Sequence, residues 1–263
     1  MARPKRKYVL FLVEGYTDTE VLAESITSIY EEVLSPEEMV EVKFCTLKQN
    51  DQSGGDITSS NGVTPENIEG LIGKLFIDPF LEKNPFIYPK EISEVIQIVD
   101  LDGAFISEEL VVQQSTVLSD ERIIYTEECI ETVDVSAIQE RNARKSVNLK
   151  KLVGMDEIVI RPKNGRNTKT VKYSIYYFSC NMDHVIHKKL NLSAQEKVQL
   201  ADDFSVACSY SLDTFKSAIC EDEAACKNMT YHESWDYIME GAESLKRHTN
   251  LNLLIEKLYE RNN

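Results

Sequence analysis

The chain has 263 residues, 42% hydrophobic and 28% charged, the balance of a globular protein with room for one large domain or a core plus an appended part. Its net charge of −15 opposes unaided, non-specific binding to nucleic acid, because phosphate contacts need Lys and Arg supplied locally or by a partner. No apolar run is long enough to span a bilayer, the basic start Met1–Lys7 introduces no signal peptide, and six cysteines without a Cys-x-x-Cys pair are no disulfide framework, so the expected compartment is the cytoplasm.

After the basic lead-in, Tyr8 to Val13 is an unbroken apolar run that stops at Glu14-Gly15. Such a run reads as a buried strand of a parallel sheet covered on both faces. A carboxylate at its C-terminal end stands where open α/β sheets place their ligand crevice. Gly15 is expected to let the backbone turn and to keep space in front of Glu14. Asp18 begins the next helix, Thr19 to Leu34, whose stripe is Val21, Leu22, Ile26, Ile29 and Val33. Met39 to Leu47 alternates enough for a second strand. Lys48 to Thr64 is polar and Gly-rich, a long loop placed to lie over a site at the strand ends. Its Gly-Gly lacks the Lys-Ser or Lys-Thr of a phosphate-binding loop. Thr64-Pro65 is a helix-start signal for a helix running to Leu81.

A second apolar strand follows, Val95 to Val99, and it ends in Asp100-Leu101-Asp102-Gly103. Side chains two apart on an extended chain point the same way, so Asp100 and Asp102 face one point. If this strand lies beside the first, Glu14 joins them. Three ionised carboxylates raise one another's pKa and call for a cation, most simply Mg²⁺. The strand–helix alternation so far predicts an α/β fold: a central, mostly parallel sheet flanked by helices.

The pair Val13-Glu14-Gly15-Tyr16-Thr17-Asp18 and Val99-Asp100-Leu101-Asp102-Gly103 resembles the Toprim domain of topoisomerases, bacterial primases and OLD-family nucleases. The first motif is close to the primase form, and the resemblance covers roughly the first half of the chain. The gap between the motifs is long for a minimal core and implies an insertion. A topoisomerase would need a nucleophilic tyrosine domain, and a primase a zinc module and a larger polymerase core, so the resemblance points to a nuclease. It implies catalytic Glu14, Asp100 and Asp102 holding Mg²⁺ or Mn²⁺, with Glu14 as ligand or general base. Asp18 is either a ligand to a second ion or a helix cap. The resemblance further implies a nucleic-acid substrate, DNA or RNA including tRNA, and a role in bacterial anti-phage defence beside a separate ATPase. Two other classes compete: a non-catalytic binding or regulatory module, favoured by the acidic charge, and a haloacid-dehalogenase-type phosphatase, which leaves the Glu-Gly strand unexplained.

Beyond Gly103 the periodicity weakens. Ile123 to Thr126 is a short strand, and Gln139 to Val153 is a basic helix or loop containing Arg141, Arg144, Lys145, Lys150 and Lys151. Asn164-Gly165 signals a hairpin between strand-like flanks. From Arg161 to Lys172 the chain carries Arg161, Lys163, Arg166, Lys169 and Lys172 and no acid. This stretch is either a solvated edge guard or a nucleic-acid-contacting arm. Tyr173 to Ser179 is strand-forming, and Asp183 and His184 after it are either further site residues or part of a helix start capped by Asn181 or Asp183. Cys180, His184 and His187 share helical spacing but have no fourth ligand in view and read as packing. Helices fill the rest: a capping box at Ser193 to Glu196 opens one to Phe204, followed by Leu212 to Cys220, Ser234 to Met239 and Leu245 to Tyr259. The lone Trp235 reads as a core anchor. The expected organisation is a Toprim-like core over 1–190 with an insertion at about 104–170, and a helical extension over 191–263 packed on it.

Overall fold

The computed structural model describes residues 6–35, 38–49, 52–53, 55–114, 123–161, 168–221 and 224–260. Its elements are β1 (Lys7–Val13), α1 (Tyr16–Val33), β2 (Val40–Thr46) and a small ribbon of β3 (Lys48–Gln49) and β4 (Gln52–Ser53). Next come α2 (Ile68–Ile72), a π-helical stretch (Gly73–Ile77), α3 (Asp78–Lys83) and β5 (Ile92–Asp100). A small three-stranded sheet, β6 (Val111–Gln113), β7 (Ile123–Tyr125) and β8 (Ile130–Thr132), precedes α4 (Val135–Val153). The chain continues with β9 (Glu157–Ile160), β10 (Lys169–Phe178), α5 (Met182–His187), α6 (Ala194–Tyr210), α7 (Leu212–Ile219), α8 (Tyr231–Ile238) and α9 (Leu251–Glu260).

The main sheet has the order β2-β1-β5-β10-β9. The first four strands are parallel and β9 is antiparallel at the edge, so the molecule is α/β with a mostly parallel sheet. Alternation along β1 explains the layering. Tyr8, Leu10 and Leu12 enter one core with α2, the π-helical stretch, α4 and α8, while Val9, Phe11 and Val13 enter the other with α1, α6, α7 and α9. β1 is thus covered on both faces, as its unbroken apolar run requires. The C-terminal helices supply buried residues to both layers, Trp235 and Ile238 to one and Phe215, Leu254 and Leu258 to the other. Trp235 packs edge-on against Tyr177 and donates its indole N–H to the Ile175 carbonyl, the anchor its sequence suggested.

From β1 the chain goes to one neighbour through α1 and then, through α2 and α3, to the neighbour on the other side. The strand order therefore reverses between β1 and β5, and the crevice at their C-terminal ends is a topological switch point.

Several elements differ from the sequence expectation for local reasons. The helix announced at Thr64-Pro65 starts at Ile68. The Thr64 N–H is taken by the Asn67 side chain, whose amide donates to the Gly62 carbonyl, and this closes a turn instead. The helix expected from Leu245 begins at Leu251. Before it, Thr249 donates its hydroxyl to the Tyr177 carbonyl and bridges Phe178 and Ala225, which holds the segment as a strut across the end of β10. The loop after Leu47 contains the β3–β4 ribbon. The hairpin flanks are β9 and β10, and its Asn164-Gly165 turn lies outside the described residues.

Candidate carboxylate site at the strand ends

β1 and β5 are hydrogen-bonded neighbours, so Glu14 and Asp100, far apart in sequence, arrive at one place. The Asp100 N–H donates to Glu14 Oε1 at 3.2 Å. Asp100 Oδ1 in turn accepts the Met182 N–H at 2.8 Å, which ties the start of α5 to the β5 end. Asp18 Oδ2 accepts the Gly15 N–H at 2.6 Å and caps the first turn of α1. Gly15 itself is extended, φ −145°, and an added Cβ would meet nothing nearer than Asp18 Oδ2 at 3.6 Å. The backbone therefore does not require glycine there, a correction to the expected turn. The glycine that is required is Gly103. It follows Asp102 in a left-handed pair, φ 50° and φ 69°, and its Cβ would lie 2.7 Å from Leu245 Cδ2. That turn swings Asp102 off the strand line, and its N–H is held by the Cys180 carbonyl at 2.7 Å.

Two groups of this site were not connected to it by sequence. Lys145, fully buried on α4, places its ammonium 2.7 Å from Asp102 Oδ2 and 2.8 Å from Asp56 Oδ2. Asp56 comes from the long loop after β2, which does lie over the strand ends: the Gly55 N–H reaches the Glu14 carbonyl. Helix α4 clamps this assembly. Arg141 donates to the Asp102 carbonyl, Asn142 to the Gly103 carbonyl, Arg144 to the Ser59 carbonyl, and Asn148 to those of Thr58 and Val63. The only sequence signal was a run of basic residues in an acidic chain, and nothing in its spacing said where it would fold. On the opposite flank Asp183, buried at the start of α5, pairs with Lys197 of α6 at 3.0 Å. His184 is also buried, but it turns to Glu127 at 3.5 Å, and burial lowers its pKa.

The electrostatics follow from this geometry. Burial, then the charge of Asp56, raises the Glu14 pKa well above the carboxylate range, and Lys145 only partly offsets this. Burial and then Asp18 do the same to Asp100. Asp18 is pushed up to about 6 by burial, against the Gly15 N–H that lowers it, with Asp183 adding to the rise. Asp56 moves the other way: burial raises its pKa, but Lys145 and the Thr58 and Ser59 hydrogen bonds together outweigh that. Burial disfavours the charge of Lys145, but Asp102, Asp56 and Glu14 together raise its pKa well above the usual value. Glu14, Asp18, Asp56, Asp100, Asp102 and Asp183 thus form one cluster, and Lys145, Lys197 and Arg141 do not balance it.

No protein-family model, no curated protein and no solved structure matches this chain. The site's chemistry is carried by its donors. All are carboxylate oxygens, which suit a hard divalent cation such as Mg²⁺ or Mn²⁺. As the side chains stand, no three His, Cys, Asp or Glu among the described residues close on a single ion position. Glu14, Asp100 and Asp102 each commit one oxygen to the protein, so a cation would be held through the remaining oxygens after side-chain rotation.

The basic stretch does not converge with this cluster. β10 runs parallel to β5, and Lys172 pairs in register with Glu94 whereas Phe178 pairs with Asp100. Lys172 is therefore about 20 Å from the acidic end at about 3.3 Å per residue. Lys169 spends its ammonium on the Lys90 and Ile92 carbonyls, Arg161 is exposed beyond β9, and Lys163 and Arg166 lie outside the described residues. Among the described residues no helix is long and apolar enough to cross a membrane.

Proposed function

We propose that the chain is a Toprim-type, metal-dependent nuclease that cuts phosphodiester bonds of DNA or RNA. The observation that carries this reading is the hydrogen bond from the Asp100 N–H to the Glu14 carboxylate. It joins the two motifs at adjacent strand ends, at a switch point, within a carboxylate cluster that its own cations leave under-neutralised. Asp100, Asp102 and Glu14 are the residues that would hold Mg²⁺ or Mn²⁺, with Asp18 beside them. When bound, such an ion supplies Lewis-acid stabilisation of phosphate charge and a more acidic water. The protein's own contributions are separate from that. Glu14, at the end of β1 beside Asp100, is placed either to hold the ion or to take a proton from an attacking water. Lys145 fixes Asp102 and ties the Asp56 loop to it. By the resemblance, the role extends to an effector of anti-phage defence in the cytoplasm, working beside a separate ATPase.

A second reading is favoured by Lys145. A buried ammonium already fills the space between Asp56 and Asp102, as in a scaffold whose acids serve structure, and net −15 suits a binding or regulatory module. One experiment separates the two. Plasmid, single-stranded DNA and total RNA are incubated with purified protein and Mg²⁺, Mn²⁺ or chelator, then with Glu14→Gln and Asp100→Asn. Cutting that needs the metal and disappears in both variants supports the nuclease. Absence of cutting on every substrate, or cutting that survives both substitutions, rejects it.

A further inference from the structure

A sizeable cavity lies away from the carboxylate cluster. It encloses about 750 Å³ at the other end of β5 and β10, between the sheet, the start of α8 and the last turns of α9. Among its lining residues is Glu94, only 8% exposed, whose carboxylate makes no hydrogen bond or ion pair among the described residues. Its carboxylate faces the cavity without a protein counter-charge, and largely buried acids are normally paired. Its register neighbour Lys172 stays exposed and does not close on it. Ser174 Oγ, in the same wall, is buried and unpartnered as well.

The surroundings favour positive charge. Asp156, Glu157, Glu256 and Glu260 join Glu94 around the cavity, against Lys172 and Lys257. Tyr176 and Tyr231, packed edge to face at 5.6 Å, contribute aromatic wall. A buried acid, acids at the mouth and aromatic rings between them match a chain-like cation with an apolar stem, and the volume is that of a small-molecule site. We infer that this cavity binds a small organic cation of the polyamine or guanidinium type, with Glu94 as its anchor. This inference stands apart from the nuclease reading, since Glu94 and Asp100 sit at opposite ends of the same strand.

The test is calorimetric titration of the full chain with spermidine and, separately, with argininamide. Salt is set near 150 mM, where a screening length of about 8 Å suppresses diffuse attraction to an acidic protein. The expected result is one saturable event with at least one of the two probes. Glu94→Gln should weaken it by about tenfold or more, because a charge-assisted hydrogen bond is lost. The double variant Glu157→Gln/Glu260→Gln, on exposed side chains, should weaken it by about two- to fivefold without touching the fold. Affinity unchanged in Glu94→Gln overturns the inference. So does the absence of saturable binding, or binding that is lost in Asp100→Asn and kept in Glu94→Gln. Capture of a lysine-rich peptide with no response to either free cation also overturns it, since that is a docking face. Should Glu94→Gln fail to fold, unchanged affinity in the double variant decides against the site.

Discussion

Lys145 and Lys197 neutralise one carboxylate cluster from opposite flanks, and they are built differently. Lys145 has no exposed surface, reaches two carboxylates from two separate loops, and rides on a helix bonded to both loops. Lys197 is 41% exposed at its side chain and, among the described residues, pairs with Asp183. The flank of Asp56 and Asp102 is therefore locked by the fold. The flank of Asp18 and Asp183 is held by one solvent-exposed ammonium. Glu14 and Asp100, between them, carry pKa values raised first by burial and then by neighbouring carboxylates.

The comparison is most exposed to test at its centre. Asp100→Asn should lower metal-dependent cutting by about 10²–10⁴-fold, the range of a positioned acid–base or charge-stabilising group, as read in a single-turnover cleavage assay. Full activity in that variant would leave the cluster without a chemical role. Next in size is the locked flank. Lys145→Met strands two part-buried acids and leaves no counter-charge between them, and should cost about 3–5 kcal/mol in denaturant unfolding. A loss under about 1 kcal/mol would mean that the two flanks are alike.

The loose flank is probed by pH. Asp18 binds its proton more tightly folded than unfolded, since its pKa rises from 3.8 to about 6. Its contribution to stability is thus fully present below the unfolded pKa and is lost as pH rises through about 6. Asp18→Asn should remove that loss and stabilise the protein at pH 7 by roughly 1–3 kcal/mol. Melting temperatures of the two proteins across pH 4 to 8 would show curves that separate on the alkaline side. Curves that separate only in acid would reverse the assignment. Asp56 carries the opposite sign: its pairing with Lys145 is present above the unfolded pKa and lost as pH falls through the lower folded one. The smallest effect belongs to Lys197→Met, about 1–2 kcal/mol, because its part-exposed ammonium is screened by water although Asp183 is left buried without its ion pair. A cost equal to that of Lys145→Met would show that exposure at Lys197 does not matter.

The half of the site that sequence made legible is the half written in strand ends. β1 and β5 announce themselves as unbroken apolar runs, and each ends in its acid, so Glu14, Asp100 and Asp102 can be picked out before any fold is known. Asp183 was legible for the same reason, at the end of β10. Lys145 and Asp56 were not. Lys145 is one of several basic residues on α4, and only tertiary packing distinguishes it from the exposed Lys150 and Lys151 on the same helix. Asp56 sits in a polar loop whose path is set by Arg144 and Asn148, residues far along the chain. The small sheet of β6, β7 and β8 was missed apart from Ile123 to Tyr125, because three-residue strands are too short to display a period. The basic hairpin was read correctly as a hairpin, but a parallel partner strand carries its start to the end of the sheet opposite Asp100. Strand direction, which composition does not encode, decided that placement.

The most direct measurement is a calorimetric titration of the protein with Mn²⁺ at pH 7, repeated on Asp100→Asn and on Glu94→Gln. Saturable binding that disappears in Asp100→Asn and survives in Glu94→Gln is the predicted result, because the proposed function assigns the cation to the acids at the C-terminal ends of β1 and β5. Binding that is absent from the native chain, or undiminished in Asp100→Asn, would contradict a metal-dependent centre there.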